Sequence, residues 1–82
     1  MDSTTTALSV RDHMTLQLEG TRFKYAGVKE SRVRELFGET ATRYYQRLDA
    51  LLESTAALAA YPTTVRRLQR LREQRRALRR PA

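Results

Sequence analysis

Residues 37–52 read FGETATRYYQRLDALL, and this stretch decides how the rest of the chain is arranged. At 100° per residue, Ala41, Tyr44, Tyr45, Leu48, Leu51 and Leu52 fall on one side of a helix, with Thr42, Arg43, Gln46 and Arg47 on the other. Thr40 supplies an N-cap, because its hydroxyl can accept from a free backbone N–H of the first turn. Asp49 and Glu53 share the outer side further along and would repel a phosphate backbone. Any anion met by this helix therefore belongs at its N-terminal half, the half that DNA-reading helices use. Tyr45 sits at the border of the two faces, where its hydroxyl can reach a phosphate.

Immediately upstream, Lys29 to Phe37 fits a shorter helix with Val33, Leu36 and Phe37 as its apolar edge. Gly38 stops it, so that only Gly38 and Glu39 separate it from the next cap and the corner must be sharp. That is the layout of a helix-turn-helix, with Val33, Phe37, Gly38, Tyr44 and Leu48 where the helices touch and turn. Two positions depart from the motif: Glu39 stands where an apolar residue is usual, and Arg34 where a small one is expected. An ordinary helical hairpin is the plainer alternative.

The first helix is predicted from Ser9 to about Tyr25. Ser9 and Asp12 have the form of a capping box, and Val10, Met14, Leu18 and Phe23 would face inward. Gly20 weakens its middle by about 1 kcal/mol relative to alanine, and Gly27 suits the left-handed turn that ends a helix. Residues 1–8 are polar and threonine-rich and read as a disordered tail. Residues 9–61 then form the helix-turn-helix domain, closed by a short helical turn from Thr55 to Tyr61.

Pro62 breaks the chain before a last helix, which Thr63 or Thr64 can cap; residues 62–82 form a basic helix or arm. Val65, Leu68 and Leu71 give it an apolar edge for two turns, so its first half should dock on the domain and its second half project. A heptad register through Leu68 and Leu71 places Arg75 at the next core position, which argues against a long coiled coil. The formal net charge is +7, and all of it lies here. Residues 1–61 hold eight basic and eight acidic residues, whereas residues 62–82 hold eight arginines against Glu73 alone. Such an asymmetry points to a polyanion, and arginine makes forked contacts to phosphate and enters narrow minor grooves.

Other function classes have little support. A chain of 82 residues is one domain that buries about 60 to 65% of its unfolded surface. It has no cysteine, which removes disulfides and thiolate chemistry. His13 is the only histidine and has no second ligand at metal spacing. Three scattered glycines make no phosphate loop, so neither an enzyme, nor a cofactor, nor a small-molecule substrate is expected. No apolar run reaches the roughly 18 residues of a membrane span, and the N-terminus lacks the regions of a signal peptide, which together predict a cytoplasmic protein, at the nucleoid if DNA is its partner.

Several words of the sequence resemble a known family: LSxRD at residues 8–12, KYAGxKE at 24–30, RELFG at 34–38 and ATRYYQ at 41–46. They are similar to a family of small actinobacterial proteins of unknown function, usually regarded as helix-turn-helix proteins. The similarity covers about residues 8–80. That family commonly has two tryptophans where this chain has Arg22 and Phe23, and leucine-serine where it has Glu39 and Thr40. The resemblance implies a DNA-binding fold and brings no activity, operator or ligand.

The sequence thus predicts an all-α protein, a three-helix helix-turn-helix core with an arginine-rich C-terminal helix, that binds double-stranded DNA as a small regulator or a nucleoid-associated protein. Thr42, Arg43, Gln46 and Arg47, with Tyr45, would meet the major groove, where arginine pairs with guanine and glutamine with adenine. Arg66, Arg67, Arg70, Arg75, Arg76, Arg79 and Arg80 would clamp the phosphates. A homodimer on paired half-sites would suit so small a module, although no dimer seam is visible. The rival expectations are an adaptor for an acidic protein surface of the transcription machinery, and an RNA- or ribosome-binding protein.

Overall fold

The computed structural model describes residues 7–79, and within them five helices and no strand: an all-α fold. The expectation for the tail falls largely outside these residues, at 1–6, and so does Arg80. Leu8, placed in the tail by its sequence, instead packs against the core.

Helix α1 spans Val10–Glu19. Its capping box is reciprocal: the Asp12 amide donates to Ser9 Oγ at 3.0 Å and the Ser9 amide to Asp12 Oδ2 at 3.1 Å. The helix ends at Gly20 rather than near Tyr25, because the Gly20 amide turns to the Leu16 and Gln17 carbonyls and the Thr21 amide to Leu18. Of the residues expected to face inward, Leu18 is buried, Phe23 packs against the core and Met14 is half-buried, but Val10 is not covered. Leu16, Leu18, Thr15 and Glu19 are buried, while Val10 is 77% exposed. Two of those four positions are polar, which hides the face from any count of apolar residues.

Helix α2 spans Ala26–Phe37 and starts three residues earlier than its apolar edge indicates. Gly27 lies inside its first turn rather than in a left-handed cap, and Gly38 is the positive-φ glycine (φ 64°) among the described residues. The Gly38 amide donates to the Arg34 carbonyl at 2.9 Å, closing α2. A three-residue corner leads to α3, Ala41–Leu51, where Thr40 Oγ1 accepts from the Arg43 amide at 3.2 Å.

Ser54 caps the short α4, Thr55–Ala60. Helix α5, Pro62–Arg79, follows with proline at its first position, where the missing N–H costs nothing and the ring presets φ. Thr63 and Thr64 are therefore inside α5 and not its cap.

Tyr44 is fully buried at the centre, with Leu16, Leu18, Val33, Leu48, Leu51, Leu52, Ala57 and Val65 forming the rest of the core. Phe37 stacks on the Tyr44 ring at 5.9 Å and Tyr45 meets it edge-on at 5.1 Å. Helix α2 packs on α3, while α1 and α4 pack on α5. Val65 ties α5 into the core, but from Glu73 to Arg79 every residue is exposed. At 1.5 Å per residue α5 is about 27 Å long, so this projecting end is roughly a third of it.

Candidate nucleic-acid interface

Helix α3 keeps Thr42, Arg43, Tyr45 and Gln46 exposed. Tyr45 carries Lys29 Nζ of α2 5.3 Å from its ring centroid and lines a cleft shared with residues of α5. Arg47 does not belong with them. It turns inward from the edge of the helix: Nε and Nη2 fork onto Glu39 at 3.0 and 2.8 Å, Nη1 donates to Thr15 Oγ1 at 2.9 Å, and Asp12 lies at 3.9 Å. Its guanidinium also covers the rings of Phe37, at 5.0 Å, and Tyr44, at 5.7 Å. With all these groups engaged, Arg47 braces the corner. The sequence held a hint of this, since Arg47 lies about 60° from Tyr44 on the helical wheel and Gln46 about 160°.

The same contact explains Glu39. The position after the turn glycine is filled here by one end of an ion pair, which Arg11 extends at 3.6 Å. The Arg47 hydrogen bond, and then the charges of Arg47, Arg11 and Arg43, hold the Glu39 carboxyl below its ordinary value of 4.5 against the opposing effect of burial.

A second ionic nest was invisible in the sequence. Glu19, 5% exposed, accepts from the Tyr44 hydroxyl on one oxygen, and Lys29 Nζ lies 2.9 and 2.8 Å from its two oxygens. Burial, then the hydrogen bond to Glu19, pushes the Tyr44 hydroxyl well above its ordinary value of 10. The Glu19 backbone carbonyl is in turn bonded by Arg67 of α5. Arg67 thus closes the C-terminus of α1 through one of its N–H groups, where a cation also suits the helix dipole, while it also lines the cleft described below. The nest links α1, α2, α3 and α5.

The remaining arginines of α5 divide by face. Arg72, 13% exposed, bonds Glu53 at 2.6 Å and the Asp49 carbonyl at 3.4 Å, leaving its buried Nε without an acceptor. Arg66 and Arg70 border a shallow surface with Gln69, Glu73 and Gln74. Arg75, Arg76 and Arg79 instead line a cleft whose other wall includes Tyr45. Arg76 lies 3.5 Å from Glu73, with both side chains more than half exposed, a pair worth at most about 1 kcal/mol. Arg75 and Arg79 have no acidic partner within 4.0 Å among the described residues. Of the residues singled out in the sequence, then, Thr42, Arg43, Tyr45 and Gln46 share α3, Arg75, Arg76 and Arg79 share the cleft rim, Arg66 and Arg70 lie apart, Arg47 is turned into the fold, and Arg67 lines the cleft while bonding the end of α1.

His13 sits outside this surface, its Nδ1 2.9 Å from the Tyr61 hydroxyl. No cluster of three His, Cys, Asp or Glu among the described residues could hold a metal ion, and no helix there is long and apolar enough to cross a membrane.

With this geometry in place, residues 7–80 match a family model described as protein of unknown function, DUF3263. The chain belongs to the DUF3263 family. The match takes in every helix and both ionic nests, so the family unit coincides with the whole folded body and the projecting end of α5. No curated protein and no solved structure matches the chain.

Proposed function

We propose that this DUF3263 protein binds double-stranded DNA, with α2, the Gly38 corner and α3 acting as a helix-turn-helix. Thr42, Arg43 and Gln46 meet base edges and phosphates in the major groove, and Tyr45 offers its hydroxyl to the backbone. Arg75, Arg76 and Arg79 follow the phosphates beside the groove, while Arg66 and Arg70 add attraction at longer range. One observation carries this reading. Lys29, Arg47, Arg67 and Arg72 are tied to carboxylates and carbonyls of the folded body, whereas Arg43 on α3 and Arg75 and Arg79 beside Tyr45 are exposed with no acidic partner within 4.0 Å among the described residues. A chain of this kind works at the nucleoid, either as a small transcriptional regulator or as an architectural protein that coats DNA.

Salt dependence tests it. Each neutralised phosphate contributes about 0.9 to the slope of log affinity against log salt. A chain ending at Gln74 loses Arg75, Arg76, Arg79 and Arg80 but keeps Val65 and the Arg67 and Arg72 contacts, so it should fold normally. Its slope should be lower by about 2 to 3. An unchanged slope would remove the arm from the interface, and stronger competition by structured RNA than by duplex DNA would reassign the nucleic acid. Comparing one genomic duplex with its scrambled sequence then separates regulator from coating protein.

A further inference from the structure

Beyond duplex binding, the cleft between α3 and the projecting end of α5 has a chemistry that DNA does not use. It encloses about 760 Å³. Its floor includes Leu48, Leu68 and Leu71, and its rim Arg75, Arg76 and Arg79. Leu71 is 43% exposed although it continues the stripe that begins with the buried Val65. A phosphate backbone can satisfy the rim but offers nothing to cover that floor. Two helices flanking an apolar trough give the shape in which an amphipathic helix lies.

Charge complementarity selects the occupant. Glu19, one of two acids lining the cleft, is already held by Lys29 and Tyr44, which leaves Asp49 against three rim arginines. The incoming helix must therefore bring apolar side chains on one face and carboxylates beside them. A second copy of this chain fits badly, since it carries a net +7, and each of its longer helices α2, α3 and α5 has more basic than acidic residues. We propose that the cleft docks an acidic amphipathic helix of a partner protein, its apolar face on Leu68 and Leu71 and its carboxylates on Arg75, Arg76 and Arg79. Docking does not depend on the duplex reading, and it calls on leucines that phosphate binding leaves untouched.

The test uses the full chain and two fluorescent peptides of about 18 residues, long enough to sustain a helix. Both contain only Glu, Ala and Leu in the same proportions; one aligns its leucines at i, i+3, i+4 and i+7, the other scatters them. Anisotropy should show the aligned peptide binding at least about tenfold tighter. Leu71→Ser should weaken it by about tenfold with duplex affinity retained, and Arg75→Gln with Arg79→Gln should weaken both peptides. Arg66→Gln with Arg70→Gln, on the other face, should leave the aligned peptide's advantage intact. Equal binding of the two peptides, or indifference to Leu71→Ser, overturns the proposal. So does self-association that Leu71→Ser abolishes, which gives the cleft to a second copy, or saturable binding of oleate without the aligned peptide, which gives it to an acyl anion.

Discussion

The folded body and the end of α5 use the same cation for opposite purposes. In the body, Arg47 reaches Glu39, Thr15 and Asp12, Arg72 reaches Glu53, and Lys29 reaches Glu19. Seven residues from Glu73 to Arg79 contain three arginines and one acid, and all of them are exposed. An arginine folded against a carboxylate and an aromatic ring is structural material, because its charge is spent where water is scarce. One on a projecting helix remains an available charge. A count of arginines along the chain therefore measures net charge, while the pairing imposed by the fold decides which of them an outside anion can meet.

The strongest way to break this contrast is at Glu19. Glu19→Ala leaves the Tyr44 hydroxyl buried without its acceptor and Lys29 without its counter-ion, and removing one partner of a buried pair costs about 3 kcal/mol or more. That is a large fraction of the stability of a domain this small. Urea unfolding should show a much lower midpoint with little change in slope. The matching change in the arm, Glu73→Ala, breaks only an exposed pair and should move stability by less than about 0.5 kcal/mol. Similar losses at the two sites would mean that the body's ion pairs are no more structural than the arm's.

Acid sharpens the same contrast at Glu39. Its folded-state pKa lies below 4.5, with the Arg47 hydrogen bond as the largest cause. A lowered carboxyl contributes stability that is complete above the unfolded value and drains away as pH falls through the folded one. Glu39→Gln should thus be weaker than the native chain by about 1 to 2 kcal/mol near neutrality. As pH falls below the ordinary 4.5 and through the lowered folded-state value the gap should narrow, because the variant has no such proton to take up. Parallel stability curves across that range would show that the pair does not hold the corner.

What could be read from the sequence was local chemistry. The Ser9–Asp12 box, the Thr40 cap, the stop at Gly38 and the apolar face of Tyr44, Leu48, Leu51 and Leu52 each depend on residues within one or two turns. What escaped depends on partners far along the chain. Nothing near Glu19 announces that Lys29, Tyr44 and Arg67 converge on it, and a face carrying Thr15 and Glu19 does not look like a core until their partners are known. Arg47 looks outward in the sequence for the same reason: its acid, Glu39, precedes it by eight residues and lies beyond the cap of its helix. Pro62 does separate α4 from the last helix, as its sequence implies, but because proline also starts helices it is itself the first residue of α5, which leaves Thr63 and Thr64 no capping role.

Glycine has a similar double meaning, and it provides the smallest of the expected effects. Gly27 and Gly38 both have open space where a Cβ would go, with no atom within 4 Å, so packing cannot separate them. Their backbones can. Gly38 has φ 64°, where an L side chain is strained, and Gly38→Ala should cost about 1 kcal/mol. Gly27 lies in a helical turn, and Gly27→Ala should add about 0.5 kcal/mol by narrowing the unfolded ensemble. Opposite signs in thermal melts would establish that the left-handed corner lies at Gly38 and that α2 begins before Gly27. Because that corner sets the direction in which α3 leaves α2, Gly38→Ala should also reduce duplex affinity, while Gly27→Ala should leave it unchanged. A neutral Gly38→Ala would mean that α3 is aimed by the Arg47–Glu39 brace alone, so that the body's charges, and not its turn, orient the surface that the arm adjoins.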